Sequence, residues 1–359
     1  PMNGNEERAN QMSGRTMSDR KYRIFLLTSI LCLIACALLA LCTGRYTIRL
    51  RDAVLVLFSG LRQLLGLSPM PQSWDAMAEN VIYTLRLPRV AAAILVGGSL
   101  SLSGASYQGV FKTPLVSPDL LGVSTGACVG AAIAILLHLN ATGIQLLAFG
   151  FGLLTVLLTV SIPRLMRNDS LTMLVLSGVI VSGIMGSIMG VIKYVADPET
   201  ELASITYWQM GSLAKITNSD VLSVSLPILG AMALLIAIRW QINLLSLGDR
   251  EAKTLGIRIG LTRNIIILCS TLLTACAVCL CGTIGWVGLV IPHLGRILVG
   301  PDNIKSIPVS CVLGSIFMLL IDTVARAATT LEIPLSILTG LIGAPFYLYI
   351  LVKQRMKMT

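Results

Sequence analysis

Residues 143–163 read GIQLLAFGFGLLTVLLTVSIP, without one charged side chain, and the next residue is Arg164. A run of this length matches the roughly 20 apolar residues that an α-helix needs to cross the hydrocarbon layer of a bilayer. The rest of the chain repeats the pattern. Windows of about 19 residues mark further spans at 24–42, 89–110, 119–138, 171–193, 219–239, 264–283, 286–299, 306–326 and 335–352. Composition agrees. The chain is 55% hydrophobic and 12% charged, about half the charge density of a soluble domain, and so has too few polar groups to cover a water-facing surface. The reading is an all-α integral membrane protein of about ten transmembrane helices, an even number that leaves both termini on one side. Residues 1–23 are polar and basic and read as a disordered cytoplasmic segment. Residues 24–353 form a single membrane domain, and 354–359 a cytoplasmic tail.

The distribution of charge sets the orientation and excludes some functions. With the N-terminus in the cytoplasm, cytoplasmic segments hold eighteen of the 27 Lys and Arg, the bias expected of inner-membrane topology. Six of the remaining arginines crowd the first external loop: Arg45, Arg49, Arg51, Arg62, Arg86 and Arg89. The net charge of +10 does not point to nucleic acid, because aromatic residues are only 5% of the chain and do not interleave with the basic ones as in single-strand binders. The nine cysteines fall mainly inside apolar runs. The group Cys276, Cys279 and Cys281 has no neighbouring His, Asp or Glu, and buried thiols of this kind act as small hydrophobes.

Small residues recur at close-packing intervals: Gly122, Gly126 and Gly130; Gly186 and Gly190; Gly282, Gly285 and Gly288. In lipid such faces let helix backbones approach, and a minority could line a pathway instead. SGASYQGVFKTPLVSP (103–118) and CGTIGWVGLVIPH (281–293) share an outline of glycine-bearing helix end and proline, a faint internal echo of the repeats common in transporters.

Inside the spans the chemistry is sparse. Asp322 lies near the outer end of its span, with Arg326 four residues on, the spacing of a helical ion pair. Proton- and sodium-coupled carriers use intramembrane carboxylates or histidines, and His138 and His293 both sit near span ends. Paired carboxylates, metal-ligand clusters and nucleophile–base sets do not emerge from the sequence, so no catalytic residue, metal or resident cofactor is expected. The phosphate-binding pattern Gly-x4-Gly-Lys-Ser/Thr is missing, so ATP is not hydrolysed by this chain. Energy for uphill transport must come from a partner. The cytoplasmic loop 245–263, LSLGDREAKTLGIRIGLTR, contains a short amphipathic segment bounded by Gly248 and Gly256 that offers such a partner a handle. The rival readings are a stand-alone secondary carrier or channel and a membrane-bound enzyme.

Five stretches, TLRLPRVAAAILVGGSLSLSGASYQGVFKTPLVSPDLLGVSTGA (84–127), LGDREAKTLGIRIGLTR (247–263), GTIGWVGLVIPHLGRILVG (282–300), DTVAR (322–326) and LEIPLSILTGLIGAPFYLYIL (331–351), resemble the FecCD-type permeases of ATP-binding-cassette importers for ferric siderophores, haem and cobalamin. The resemblance implies a type II importer permease fold of ten spans that homodimerises around a central pathway. It also implies two ATPase subunits carrying ATP and Mg, and an external solute-binding protein. It assigns Gly248, Asp249, Arg250, Glu251, Ala252, Leu255 and Gly256 to ATPase coupling, and Arg86 and Arg326 to contact with acidic residues of the binding protein. Arg89 is read as a headgroup anchor. The loop before the fifth span, Ser170, Leu171 and Thr172, would form the inner gate; Leu171 departs from relatives that carry a small hydroxyl residue there. Ferric siderophore is the first expectation for cargo, with corrinoid and haem next.

Overall fold

The computed structural model describes residues 17–44, 46–68, 72–167, 170–328 and 332–355, and among these every regular element is helical. Helix α1 spans Asp19–Cys42, α2 Leu50–Leu64, α3 Ala76–Phe111, α4 Val123–Leu136, α5 Ala141–Leu165, α6 Leu171–Val195 and α7 Glu201–Met210. Then follow α8 Asn218–Ala237, α9 Arg239–Leu247, α10 Asp249–Thr254, α11 Ile259–Cys281, α12 Val287–Val299, α13 Asn303–Ala327 and α14 Leu335–Arg355. Seven of them (α1, α3, α5, α6, α8, α11 and α13) are long and apolar enough to cross a membrane. The other three expected spans correspond to the shorter apolar helices α4, α12 and α14.

Several boundaries differ from the sequence reading. Helix α1 begins at Asp19, so residues 19–23 of the segment expected to be disordered are helical; residues 1–16 lie outside the described residues. Likewise Gln354 and Arg355 of the expected tail belong to α14, and 356–359 lie outside the described residues. Helix α3 starts at Ala76 rather than 89, and the reason is local. Pro88 has no N–H and its ring crowds the carbonyl one turn earlier. Residues Val81–Arg86 form a π-turn, in which the Leu87 N–H reaches the Ile82 carbonyl. The widened turn carries the helix past the proline instead of ending it. The expected span at 119–138 enters through a 3-10 turn, Pro118–Leu121, and only then becomes α4. Helices α2, α7 and α9 were not foreseen.

Helix α3 is the axis of the bundle. Over its most apolar window 83% of residues are buried, against 17% for α1. An interior helix in lipid gains little from apolarity and much from close approach, and the residues of α3 follow that rule. Gly97 meets Gly314 of α13 backbone to backbone, and a Cβ at Gly104 would collide with the Gly288 carbonyl of α12. Buried Ser103 donates to the Ser270 carbonyl (3.1 Å) and lies 3.2 Å from the Thr274 hydroxyl on α11. The Gly104–Gly288 contact joins the two segments that echo each other in sequence. On α4, Gly126 and Gly130 seat against Phe151 and Leu147 of α5. Gly183, Gly186 and Gly190 of α6, by contrast, face open space.

Contacts sort the connecting segments onto two ends. At one end, Lys305 holds the Met17 carbonyl and the Asp19 carboxylate, both at 2.7 Å. Asn243 accepts from the Asn303 N–H (2.9 Å), and the Tyr347 hydroxyl reaches the Pro114 carbonyl (3.5 Å). At the other end lie the C-terminus of α1, α2, the starts of α3 and α8 (Asn218 donates to the Tyr83 carbonyl, 3.0 Å), and the end of α13.

Candidate functional site: two charged ends of the bundle

The first end carries the loop expected to couple to an ATPase. Gly248 adopts φ +153°, and a Cβ there would strike the Glu251 carboxylate. Gly256, at φ +83°, ends the segment in the left-handed region that glycine occupies without strain. Between them α10 is a helix of six residues. It is held from below by Ala252, fully buried, and by an ion pair from Asp249 to Arg263 of α11 at 3.1 Å. Arg250, Glu251, Lys253 and Thr254 point outward. Leu255 is exposed beside them, as are Leu247 and Leu261, which the sequence reading left out. Charged and apolar groups thus share one rigid, outward-facing knob, the composition of a docking surface with an apolar centre and polar rim.

Near this end a second device went unnoticed in the sequence. The Gln108 amide of α3 donates to the carbonyls of Val116 (3.1 Å) and Leu289 (3.2 Å), while Arg296 of α12 donates to the Gln108 side-chain oxygen. One glutamine therefore ties the 112–118 linker and α12 to the central helix. The expected gate residues sit at the start of α6. Ser170 is its N-cap, accepting from the Met173 N–H at 3.2 Å. Leu171 is half-buried and Thr172 exposed.

At the opposite end the arginines turn inward. Arg86 is buried and donates to the carbonyls of Leu41 and Tyr46. Arg326 is buried and donates to the Ala40 carbonyl. Together they satisfy acceptors that the C-terminus of α1 leaves without intrahelical partners. The ion pair for which Asp322 and Arg326 are spaced does not close to contact distance. Asp322 instead receives Arg89 Nε at 2.9 Å, and the Arg89 fork closes on Glu332 at 2.8 and 3.0 Å. Arg89 is thus no headgroup anchor; it is buried and bridges the buried Asp322 and the exposed Glu332, the latter through a bidentate fork. Its partners lie 233 and 243 residues away, a separation that no local pattern reveals. Outside the bundle, the Asp75 carboxylate caps the start of α3 and accepts from the Tyr46 hydroxyl at 2.7 Å. That hydroxyl and the Met77 N–H hold its pKa below the usual carboxylate value.

Among the described residues no group of three or more His, Cys, Asp or Glu is placed to hold a metal ion.

This is an all-α, multi-pass membrane permease fold whose one end presents a short, outward-facing charged helix. Residues 32–353 match the profile of the FecCD transport family, and the chain belongs to that family. It is 37% identical over 333 residues to the molybdate import system permease protein MolB of Haemophilus influenzae, covering 92% of this chain and 96% of that one. It is also 37% identical to the cobalamin import system permease protein BtuC of Halobacterium salinarum, covering 79% of this chain and 76% of the other. A solved inward-facing conformation of an ABC transporter superposes with a TM-score of 0.81 at 37% identity, over 92% of this chain and 99% of that one. The protein is the permease subunit of an ATP-binding-cassette importer.

Proposed function

We propose that two copies of this chain, each crossing the inner membrane ten times with both termini in the cytoplasm, enclose the pathway for a ferric siderophore. Two partner ATPases, carrying ATP and Mg, seat on the α10 knobs, and a solute-binding protein delivers cargo at the opposite end. The observation that carries this reading is the knob itself. Buried Ala252 and the Asp249–Arg263 pair fix it, while Arg250, Glu251 and Leu255 project, so a push received there passes directly to α9 and α11. The sidedness follows the excess of Lys and Arg at the same end. The α6 face bearing Gly183, Gly186 and Gly190 supports the homodimer, because small residues without neighbours in one chain leave room for a wide pathway or for a second copy.

The gate assignment to Ser170, Leu171 and Thr172 rests on their place at the mouth of that face. A bulky, mildly polar chelate suits a path of this kind; corrinoid and haem are the alternatives, and stimulation of ATP hydrolysis by each cargo with its binding protein tells them apart. Arg86 and Arg326 serve docking by holding the end of α1 in place. Direct contact with acidic groups of the binding protein would require both guanidiniums to leave the carbonyls they now satisfy.

The test is co-purification in detergent with the partner ATPase, comparing wild type with Glu251→Arg/Leu255→Asp. Two ATPases per permease dimer, lost in the variant, is the expected result. Equal retention by both would move docking away from α10. Failure of the wild type to hold any ATPase would return the stand-alone carrier to the front.

A further inference from the structure

Helix α2 is amphipathic in the wrong sense for a helix in water. Its large apolar residues Leu50, Val54, Phe58 and Leu61, followed by Leu65 just past its end, recur at helical spacing on one stripe, and each is between 45% and 67% exposed. Its inward face carries the small residues Ala53, Val56 and Ser59, packed toward Trp74, Ala78 and Ile82. A surface helix of a water-soluble domain places its apolar stripe inward. Arg51 and Arg62 share one shoulder of the exposed stripe, 11 residues or about three helical turns apart.

The position of α2 is fixed from both sides. Arg86 binds the backbone at Leu41 in the last turn of α1 and at Tyr46 within the α1–α2 connection, and the Tyr83 hydroxyl donates to the Val56 carbonyl at 2.7 Å. Helix α3 has 36 residues, about 54 Å of helix against a hydrocarbon layer of about 30 Å. Its first turns therefore reach the headgroup region, and α2 is held against those turns. Beside the stripe, Leu57, Leu61 and Leu87, together with the polar Gln63, Glu79 and Tyr83, border a cleft of about 680 Å³.

We propose that α2 lies in the membrane interface, its Leu50–Leu65 stripe sunk among the upper acyl chains of the leaflet where α1 ends, with Arg51 and Arg62 at the level of the lipid phosphates. Apolar residues on one face with arginine on the flank is the pattern of interfacial helices, and each such cation near the surface favours anionic lipid. The occupant is phospholipid rather than the solute-binding protein, because the exposed stripe is continuous in character with the exposed Leu27, Leu31 and Leu39 of α1. A patch this apolar, facing water between delivery events, would invite aggregation. The inference rests on the membrane-spanning fold and is independent of the cargo and of the ATPase docking test.

The experiment is tryptophan quenching in nanodiscs whose lipids carry bromine in the upper acyl chain, with the full chain assembled with its partners. Phe58→Trp places the probe on the stripe and Gln63→Trp on another side of the helix. The expected result is that the emission added by Phe58→Trp is quenched about twice as strongly as that added by Gln63→Trp, whether or not the binding protein is present. Should Phe58→Trp disturb α2, Leu61→Trp reads the same stripe. Equal quenching at both positions, or none at either, overturns the proposal. Quenching at Phe58→Trp that disappears when the binding protein is added also overturns it and makes the stripe a protein-docking surface.

Discussion

At the end of the bundle that carries α10, charged side chains project from a six-residue helix seated on buried Ala252. At the other end, Arg86, Arg89 and Arg326 turn inward and are spent on the carbonyls of α1 and on the carboxylates of Asp322 and Glu332. Both ends look alike in sequence, as arginines between apolar runs. The difference lies in what surrounds them. Solvent can hydrate Arg250 and Lys253, so those charges need no partner. The C-terminus of α1 offers unpaired carbonyls at the edge of the membrane, where satisfying them is worth burying a guanidinium. Arginine density therefore marks where a polar problem exists, and geometry decides whether the problem is internal or a partner's.

The sharpest way to break this contrast is at the triad. Asp322→Ala leaves the Arg89 Nε without an acceptor while the fork keeps Glu332, and should destabilise the permease by about 3 kcal/mol at most, the upper scale for a hydrogen bond to a charged group. Arg89→Met with Asp322→Leu should recover much of that loss. Thermal unfolding in detergent checks both, and a loss no larger than that of a surface substitution would mean the triad is dispensable. Next come the glycines. Gly104→Val must displace the Gly288 backbone and should cost about 1–3 kcal/mol, whereas Gly186→Ala, facing open space, should leave the melting of the monomer unchanged and alter only dimer or transport assays.

Arg86→Gln and Arg326→Gln should each cost about 1 kcal/mol by leaving α1 carbonyls without donors, read as faster hydrogen exchange at the end of α1. Pairing Arg86→Glu with Arg326→Glu goes further. Unchanged affinity for the binding protein at low salt would end the docking role proposed for that end. The smallest effect concerns pH. The pKa of Asp75 is lowered in the fold by the Tyr46 hydroxyl and the Met77 N–H, so its contribution is present above the unfolded carboxylate pKa. That contribution is lost as pH falls through the lower folded value. Acidification should loosen the Tyr46–Asp75 contact first, visible as exchange at residues 46 and 75–77, and Asp75→Asn should remove this pH dependence.

Much of the fold was legible because lipid imposes a simple rule on sequence. Apolar runs marked helices at all ten expected positions, seven of them long enough to cross a membrane, and Gly248 and Gly256 bracketed α10 correctly because both adopt positive φ. Boundaries were less legible where backbone geometry compensates for a residue's habit, as the π-turn before Pro88 does for α3. The short rigid segment α10 could be found from its local composition. The Arg89 triad and the Gln108–Arg296 tie could not, because their members are remote in the chain and individually ordinary. A buried polar residue in the last turn of α3, Gln108, was the one signal that could have prompted a search for partners.

By itself, then, the sequence determined that the chain lives in a membrane, that its regular structure is helical, and where a rigid charged loop interrupts the spans. These properties follow from solvent transfer and local backbone preference, which act over a turn or a span. Tertiary structure alone decided which glycines are packed and which are open, which arginines are buried, and that the apolar stripe of α2 faces outward. Each of those depends on what the rest of the chain brings within a few ångströms, and hydropathy has no access to that.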